Sequence, residues 1–590
     1  MAKTLDICNI ISPDQLATRI AEKYQLWENL RQNKVSEWRE IQEYIFATDT
    51  TFTTNSKLPW SNKTTIPKLC QIRDNLHANY MAALFPKRRW LTWVGENAHD
   101  ESNEKVEAIE AYMSSYVVDR NEYYNTISRL VYDYIDYGNV FVMAEWSDNT
   151  SADGAGYVGP LPRRISPLDI VFNPTAPNFE SSPKIIRSLV SLGEVKQILE
   201  AQTATEEDRQ TAKEIYDYLR GIRYEVAQFK GSLKVQDRIY NIAGFSSFQQ
   251  YLNSDTVEVL TFYGDIYDEE KDELLKNVVI KIVDRHKIIY NAPSSTLLGH
   301  PEIFHAGWRL RSDNLWAQGP LDNLVGMQYR IDHLENMKAD CFDLIAYPPL
   351  KIKGYVEDFN WGPMERIYIG DDGDVALMSP DVQALQADTQ IAILEAKMEE
   401  MAGSPREAMG FRTPGEKTKY EVQSLENAAG RIFQNKITWF ERHIVENLLN
   451  AMLELARKNM GSTVVRIFDE EMKVPDFQTL TKQDITGSGF IRPLAARHFA
   501  EQAQMVQNLT AFFQSAIGQD PEVRQHFSSV KLAQAMESML EIDDFHIVQP
   551  YVRLTEQADT QRLMNAHEEQ VAMETTTATG MNGDFDIEGL

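Results

Sequence analysis

The chain has 590 residues, of which 43% are hydrophobic and 25% charged, and its formal net charge is −28 at pH 7. These hydrophobic and charged fractions are ordinary for a globular protein and argue against large-scale disorder. The acidity argues against tight nucleic-acid binding, which needs Lys and Arg to displace counterions from phosphates. No run of about 18 apolar residues suggests a membrane span, and the first residues lack the apolar stretch of a secretory signal.

The N-terminal part begins with helical patterns. Ser12-Pro13-Asp14 supplies an N-cap, a proline at the first helical position and an early acid. Thr65 is predicted to cap a second helix, which ends near Leu84. Two further helices are predicted over 103–118 and 121–137, and Gly138 ends the second of them.

A mixed pattern follows. The sequence predicts a strand over 139–146, a strand running into a turn over 164–173 and helix over 193–222. Alternating apolar residues over 255–310 then indicate several strands separated by charged turns. The first half is therefore expected to be an α+β domain.

The middle of the chain has a different organisation. Gly319-Pro320 opens a helical pattern over 321–345 that Tyr347-Pro348-Pro349 stops, and a second helical pattern covers 381–401. Between them lies a β-like module of about 35 residues. Two helices that bracket a small module predict a stalk with a tip.

A very long helix is predicted after the loop 402–417. It covers 418–459, begins with the capping box Thr418-x-x-Glu421 and stops at Gly461. A short β stretch follows, then helical patterns over 494–549 and a tail rich in Thr, Gly and acids.

The sequence offers no catalytic, cofactor or metal site. In Gly410-Phe-Arg-Thr-Pro-Gly415-Glu416-Lys417-Thr418, Glu416 displaces the lysine that a phosphate-binding loop needs directly after its second glycine. Asp371-Asp372-Gly373-Asp374 lacks the spaced oxygens of a calcium loop and is interpreted as a charged turn. The three cysteines, Cys8, Cys70 and Cys341, match no metal or disulfide spacing. We therefore expect a protein that is not an enzyme and has no cofactor.

The order of these parts resembles the portal, or head–tail connector, proteins of short-tailed (podovirus-type) bacteriophages, over roughly residues 10–550. The stretches that carry the resemblance are TIPKLCQIRDNLHANYMAALFPKRRW, YDYIDYGNVFVMAEW, RRISPLDIVFNP, WAQGPLDNLVGMQYRIDHLENMKADCFDLIAYPPL and PREAMGFRTPGEKTKYEV. Each is a weak pattern, and their joint order is what makes the resemblance specific.

The resemblance implies an α+β, predominantly helical portal fold with wing, stem, clip and crown, assembled as a dodecameric ring. The implied regions are a wing at 1–317, a first stem helix at 318–345, a clip at 346–380, a second stem helix at 381–401, a tunnel loop at 402–417, a long wing helix and β segment at 418–489, crown helices at 490–555 and a flexible acidic tail at 556–590. The β segment at 255–310 and the tail after 555 do not map onto a shared portal core.

Two groups of side chains are candidate contact sites. The tunnel-loop candidates that would face DNA are Arg406, Arg412, Lys417 and Lys419, and the clip candidates that would dock other proteins are Lys351, Lys353, Tyr355, Arg366 and Tyr368. The tunnel-loop cations either touch passing phosphates weakly or pair with nearby acids such as Glu407, Glu416 and Glu421. Likewise, the acidic charge lies either in the channel, where it repels DNA, or on the outer surface.

The stem pattern also predicts assembly. Leu324, Ile331, Leu334, Phe342 and Ile345 lie near one face of the first stem helix, and neighbouring subunits are expected to cover them.

The resemblance implies a virion protein at the capsid portal vertex, present in the host cytoplasm during assembly. Its implied partners are its own copies, the major capsid protein, the scaffolding protein, the large terminase, the tail adaptor protein and double-stranded DNA held weakly and non-specifically. No membrane partner is expected. The alternative is another virion structural or scaffold protein without a DNA channel.

Overall fold

The computed structural model describes residues 8–10, 13–85, 90–97, 99–100, 102–148, 157–200, 206–228, 256–268, 273–294, 300–354, 356, 368–378, 386–402, 433, 435–469 and 474–493. The chain divides into two compact units, Met1–Ala496 and Arg497–Leu590, and all of the described residues belong to the first. The described part is mixed α and β, about half of it helical, which confirms the α+β class at a coarse level.

The helices are α1 (Pro13–Phe46), α2 (Lys68–Leu84), α3 (Asn103–Ala111), α4 (Tyr123–Asp136), α5 (Leu192–Glu200), α6 (Glu206–Gln228), α7 (Val325–Ala346), α8 (Ala387–Ala402) and α9 (Asn447–Asn459). Two of them adjoin π-helical turns, Tyr112–Val118 after α3 and Glu441–Glu446 before α9.

The strands are β1 (Cys8–Ile10), β2 (Leu91–Gly95), β3 (Asn139–Asp148), β4 (Val158–Ile165), β5 (Ile170–Phe172), β6 (Lys184–Ser191), β7 (Thr256–Asp268), β8 (Glu273–Val283), β9 (Lys287–Pro293), β10 (Ile303–Gly307), β11 (Leu350–Lys353), β12 (Asp374–Leu377), β13 (Ser462–Asp469), β14 (Val474–Thr481) and β15 (Gly489–Pro493).

The largest sheet has the order β5-β6-β7-β8-β9, with β1 added in parallel to the end of β7. Side chains alternate between the two faces of a strand. On β7, Leu260 and Phe262 pack into a cluster with α1 residues such as Tyr24, whereas Val257 and Val259 pack with residues of α5 and α6. The sheet is therefore covered by helices on both faces.

A second layer holds the main core. The sheet β10-β3-β4 packs near α2, α4 and α9, and its apolar residues join those helices in one large cluster. Helix α4 is fixed at its polar edge by two ion pairs, Asp133 with Arg164 at 2.5 Å and Asp136 with Arg73 at 2.6 Å.

Most of the predicted elements are confirmed, with two corrections. Thr65 does not cap α2, because its hydroxyl donates to Asp332 at 2.9 Å and Pro67 occupies the N-cap position. Residues 490–493 were placed at the start of the crown helices but form β15, whose backbone pairs with β2. The rest of the predicted crown and the tail lie outside the described residues.

Gly138 has the expected role at the end of α4. Its φ is +65°, and a Cβ there would lie 2.3 Å from the backbone nitrogen of Gly319. Only glycine accepts both the left-handed backbone and this contact. The two glycines therefore bring the end of α4 against the segment that leads into α7.

In the part of the chain that the structure describes, no helix has the length and apolar character needed to cross a membrane.

Candidate functional site

Helices α7 and α8 pack against each other, and the main core includes residues of α7 as far as Leu334 and residues along the whole of α8, from Ala387 to Ala402. Ile331 and Leu334 of α7 share the core cluster with Ile391 and Met398 of α8. The stem prediction that Leu324, Ile331 and Leu334 would lack cover from their own chain is therefore wrong. They are buried because α1, α2 and residues 54–57 also contact α7.

Charged contacts hold the same inner region. Lys68 at the start of α2 donates to Glu399 of α8 at 2.6 Å, and both side chains are more than nine-tenths buried. Glu400, the next residue, is exposed, as expected for adjacent helical acids. Just before α7, burial raises the pKa of Asp322 to about 6, with the ammonium of Lys34 3.7 Å away.

The far end of α7 is exposed. Phe342, Leu344 and Ile345 have 52%, 44% and 42% of their surface accessible, and Tyr347 just beyond the helix has 77%. For Phe342 and Ile345 the expectation that the isolated chain leaves them uncovered is confirmed. One helix thus passes from a long part that is mostly buried or half-buried as far as Cys341 to a bare last turn that begins at Phe342.

Beyond α7 lies the hairpin of β11 and β12. The pairing sets Leu350 opposite Leu377 and Ile352 opposite Val375, and the alternate positions pair Lys351 with Ala376 and Lys353 with Asp374. One face is therefore apolar and the other carries the charges. Ile352 and Leu377 on the apolar face are 52% and 58% exposed.

The backbone of Gly354, just after β11, lies close to the backbone of Asp372, just before β12. Gly354 has φ +76°, and a Cβ there would lie 2.4 Å from the carbonyl oxygen of Asp372. Asp371 and Asp372 form an exposed turn, which confirms the charged-turn interpretation of that motif. Within the described residues there is no group of three His, Cys, Asp or Glu that could hold a metal ion.

The structure brings together three of the five clip candidates. Lys351 and Lys353 are exposed on β11, and Tyr368, next to the Val356–Ile369 bridge, is 63% exposed. Tyr355 and Arg366 lie outside the described residues. All four tunnel-loop candidates, Arg406, Arg412, Lys417 and Lys419, also lie outside them, as does the segment Gly410 to Thr418.

Sequence reasoning selected the charged and aromatic residues of this hairpin and missed its apolar face. The signal was present, because Leu350-Lys351-Ile352-Lys353 alternates apolar and charged residues. We define the distal surface as Phe342, Leu344, Ile345, Tyr347, Ile352, Tyr368, Ile369, Leu377 and Met378, each at least 42% exposed. Large exposed apolar side chains, when they form one patch, are typical of a protein interface.

Compared with known proteins, the sequence matches no family model and no curated protein.

Proposed function

We propose that this chain is a subunit of a phage portal, a ring through which double-stranded DNA enters and leaves a capsid. The observation that carries the proposal is the distal surface. It lies on α7 and on the β11–β12 hairpin, which together with α8 we call the arm. In this proposal α7 and α8 are the stem, the β11–β12 hairpin belongs to the clip, and the fold is of the portal type.

The hairpin supports assembly for an energetic reason. Ile352 and Leu377 of the hairpin are more than half exposed, and a two-stranded hairpin is marginal in water unless another layer packs against it. Burying apolar surface contributes about 25 cal/mol per Å², so covering several large side chains per subunit gives a substantial driving force. Because every copy carries the same distal surface, neighbouring copies in a closed ring are the natural cover.

The charge of the chain fits passage of DNA rather than capture. A subunit at −28 offers few sites where a polyanion would be held tightly. The four tunnel-loop cations would then be the places for brief phosphate contact. Replacing Arg406, Arg412, Lys417 and Lys419 with Gln should lower DNA retention in packaged heads, and unchanged retention would remove the phosphate-contact role.

The charged face of the hairpin is assigned to docking. Lys351 and Lys353 point away from the apolar face and stay available when copies cover that face. We propose the large terminase and then the tail adaptor as the proteins that bind there. The major capsid protein and the scaffolding protein would contact the wing.

Electron microscopy of the purified full chain tests the proposal. Rings with a central hole are expected. The double variant I352S/L377S should prevent ring formation, whereas L189S/L274S, which alters two leucines of the large sheet that are 45% and 43% exposed, should not. A wild-type chain that stays monomeric across micromolar concentrations, with or without scaffolding protein, would overturn the proposal.

A further inference from the structure

Residues 60–66 form a segment without helix, the strap, that runs along one face of α7 and turns at Pro67 into α2. The strap runs antiparallel to α7. The amides of Ser61 and Asn62 donate to Asp340, that of Thr64 donates to Asn336 and that of Ile66 donates to Asp332. Leu69, in the first turn of α2, continues the series by donating to Gln328 at 3.1 Å. Four side chains of α7, spaced four residues apart, thus meet the strap and the start of α2.

The spacing of these side chains along α7 matches the spacing of their partners along the strap. Four helical residues rise about 6.0 Å, and two extended residues span about 6.6 Å. A side chain on every turn of α7 can therefore reach every second residue of the strap. Gln328, Asp332 and Asn336 are at most 2% exposed, so these hydrogen bonds are shielded from water.

The side chains alternate between amide and acid. Asn336 accepts from the Thr64 amide at 2.7 Å and donates to the Thr64 carbonyl at 2.8 Å. Gln328 likewise donates to the Ile66 carbonyl at 2.6 Å while accepting from Leu69.

The two acidic side chains, Asp332 and Asp340, only accept hydrogen bonds from the strap. Asp332 accepts from the Ile66 amide at 3.1 Å and from the Thr65 hydroxyl, and Asp340 accepts from the amides of Ser61 and Asn62, both at 2.8 Å. A shift of the strap by one helical turn would set a carboxylate against the Thr64 carbonyl. Two buried acceptors would then face each other without a proton between them.

We infer that the strap is a register-specific lock, in which alternating amide and acid side chains hold α7 at one axial position against α2. Without the lock, a helix packed mainly through apolar contacts can move by one turn, about 5.4 Å. With it, the exposed end of α7 is held at a fixed distance from the core. The inference concerns a single chain and does not depend on ring formation.

Hydrogen exchange of the full chain, followed by mass spectrometry, tests the lock with the exchange variant D332N/N336D. This variant keeps composition and charge and reverses only the order of acid and amide. Protection of peptides covering 60–69 should fall at least tenfold while that of β7 and β8 is kept. E335Q is the matched control, because Glu335 contacts Lys338 on its own helix at 3.1 Å, and it should leave the strap protected.

Wild-type protection of the strap in D332N/N336D would overturn the lock. If that variant also loses protection in β7 and β8, the single change D340A decides, since Asp340 is less buried than the other three side chains and alanine leaves no oxygen to accept from the amides of Ser61 and Asn62. Faster exchange at 61–62 with unchanged exchange at 64–69 supports the lock, because it shows that each α7 side chain holds the strap residues that it contacts. Unaltered exchange at 61–62 overturns the lock.

Discussion

The two ends of α7 differ in what covers them. At the inner end, Ile331 and Leu334 are buried in the core that α7 shares with the chain's own α2 and α8. At the far end, Phe342 and Ile345 are about half exposed although they are as apolar. Apolar periodicity in a sequence therefore reports that a face will be covered without reporting which chain covers it.

The largest difference is expected for charge pairs near the two ends. K68M removes the cation from the buried Glu399, and breaking a buried pair costs about 4 kcal/mol. K338M removes the pairs of Lys338 with Asp388, which is 72% exposed, and with Glu335 on its own helix, and should cost about 0.5 kcal/mol. Chemical denaturation of the two variants under identical conditions measures this difference.

The double variant K68M/E399M is the control for the buried pair. Two methionines leave no isolated charge in the core, so most of the lost stability should return. If K68M costs no more than K338M, the inner end is not the dry environment that its burial indicates.

Apolar truncations sharpen the same contrast. I331A empties space in a packed core and should lower the free energy of unfolding by about 3 kcal/mol. F342A should change the stability of the isolated chain by less than about 0.5 kcal/mol, because its ring is already 52% exposed. Equal losses in the two variants would mean that the distal surface is covered within one chain.

Two aspartates of α7 should respond to pH with opposite sign. Burial raises the pKa of Asp332 from 3.8 to about 6, despite the hydrogen bonds it accepts. The folded state then holds its proton more tightly than the unfolded state, so this group favours folding below pH 4 and that contribution is lost as pH rises to 6. The full change is at most about 3 kcal/mol.

Asp340 behaves in the opposite way. Partial burial would raise its pKa, but the amides of Asn62 and Ser61 outweigh this and hold the pKa below 3.8. Its contribution is present above pH 4 and is lost on acidification. Unfolding curves of wild type, D332N and D340N between pH 3.5 and 7 measure both effects. As pH falls, the free energy of unfolding of wild type should rise relative to that of D332N and fall relative to that of D340N. Parallel curves for all three would contradict both assignments.

The extent to which the sequence predicts the fold differs along the chain. The helices within the described residues, the strand at 139–146 and the turn at Gly138 follow from local patterns, and the structure confirms them, whereas the helices predicted over 494–549 and the part of the long helix over 418–432 lie outside the described residues. Thr65 was misassigned because a capping threonine and a threonine that binds a distant aspartate look alike locally. The partner, Asp332, is 267 residues away, and only the tertiary fold brings it near.

The candidate site shows the same limit. Lys351, Lys353 and Tyr368 were selected from the segment that the resemblance implies to be the clip, and the structure shows all three exposed. The division of the hairpin into an apolar and a charged face needed the register, which places Ile352 opposite Val375. A slip of one residue would exchange the two faces, and the sequence does not determine which of two close registers forms.

The smallest expected effect compares two glycines of the arm. Gly354 in the hairpin has φ +76° and no room for a Cβ, so G354A should strain the turn by about 1–2 kcal/mol. Because none of the described residues of the hairpin is buried, this strain should appear as faster hydrogen exchange over 350–378 while the denaturation midpoint stays constant. Gly326, at the inner end of α7, has no heavy atom within 4 Å of an added Cβ, and G326A should raise stability by about 0.5 kcal/mol. A loss of global stability in G354A as large as that in I331A would show that the hairpin unfolds together with the core, and the arm would then have to be treated as part of the core rather than as an extension of it.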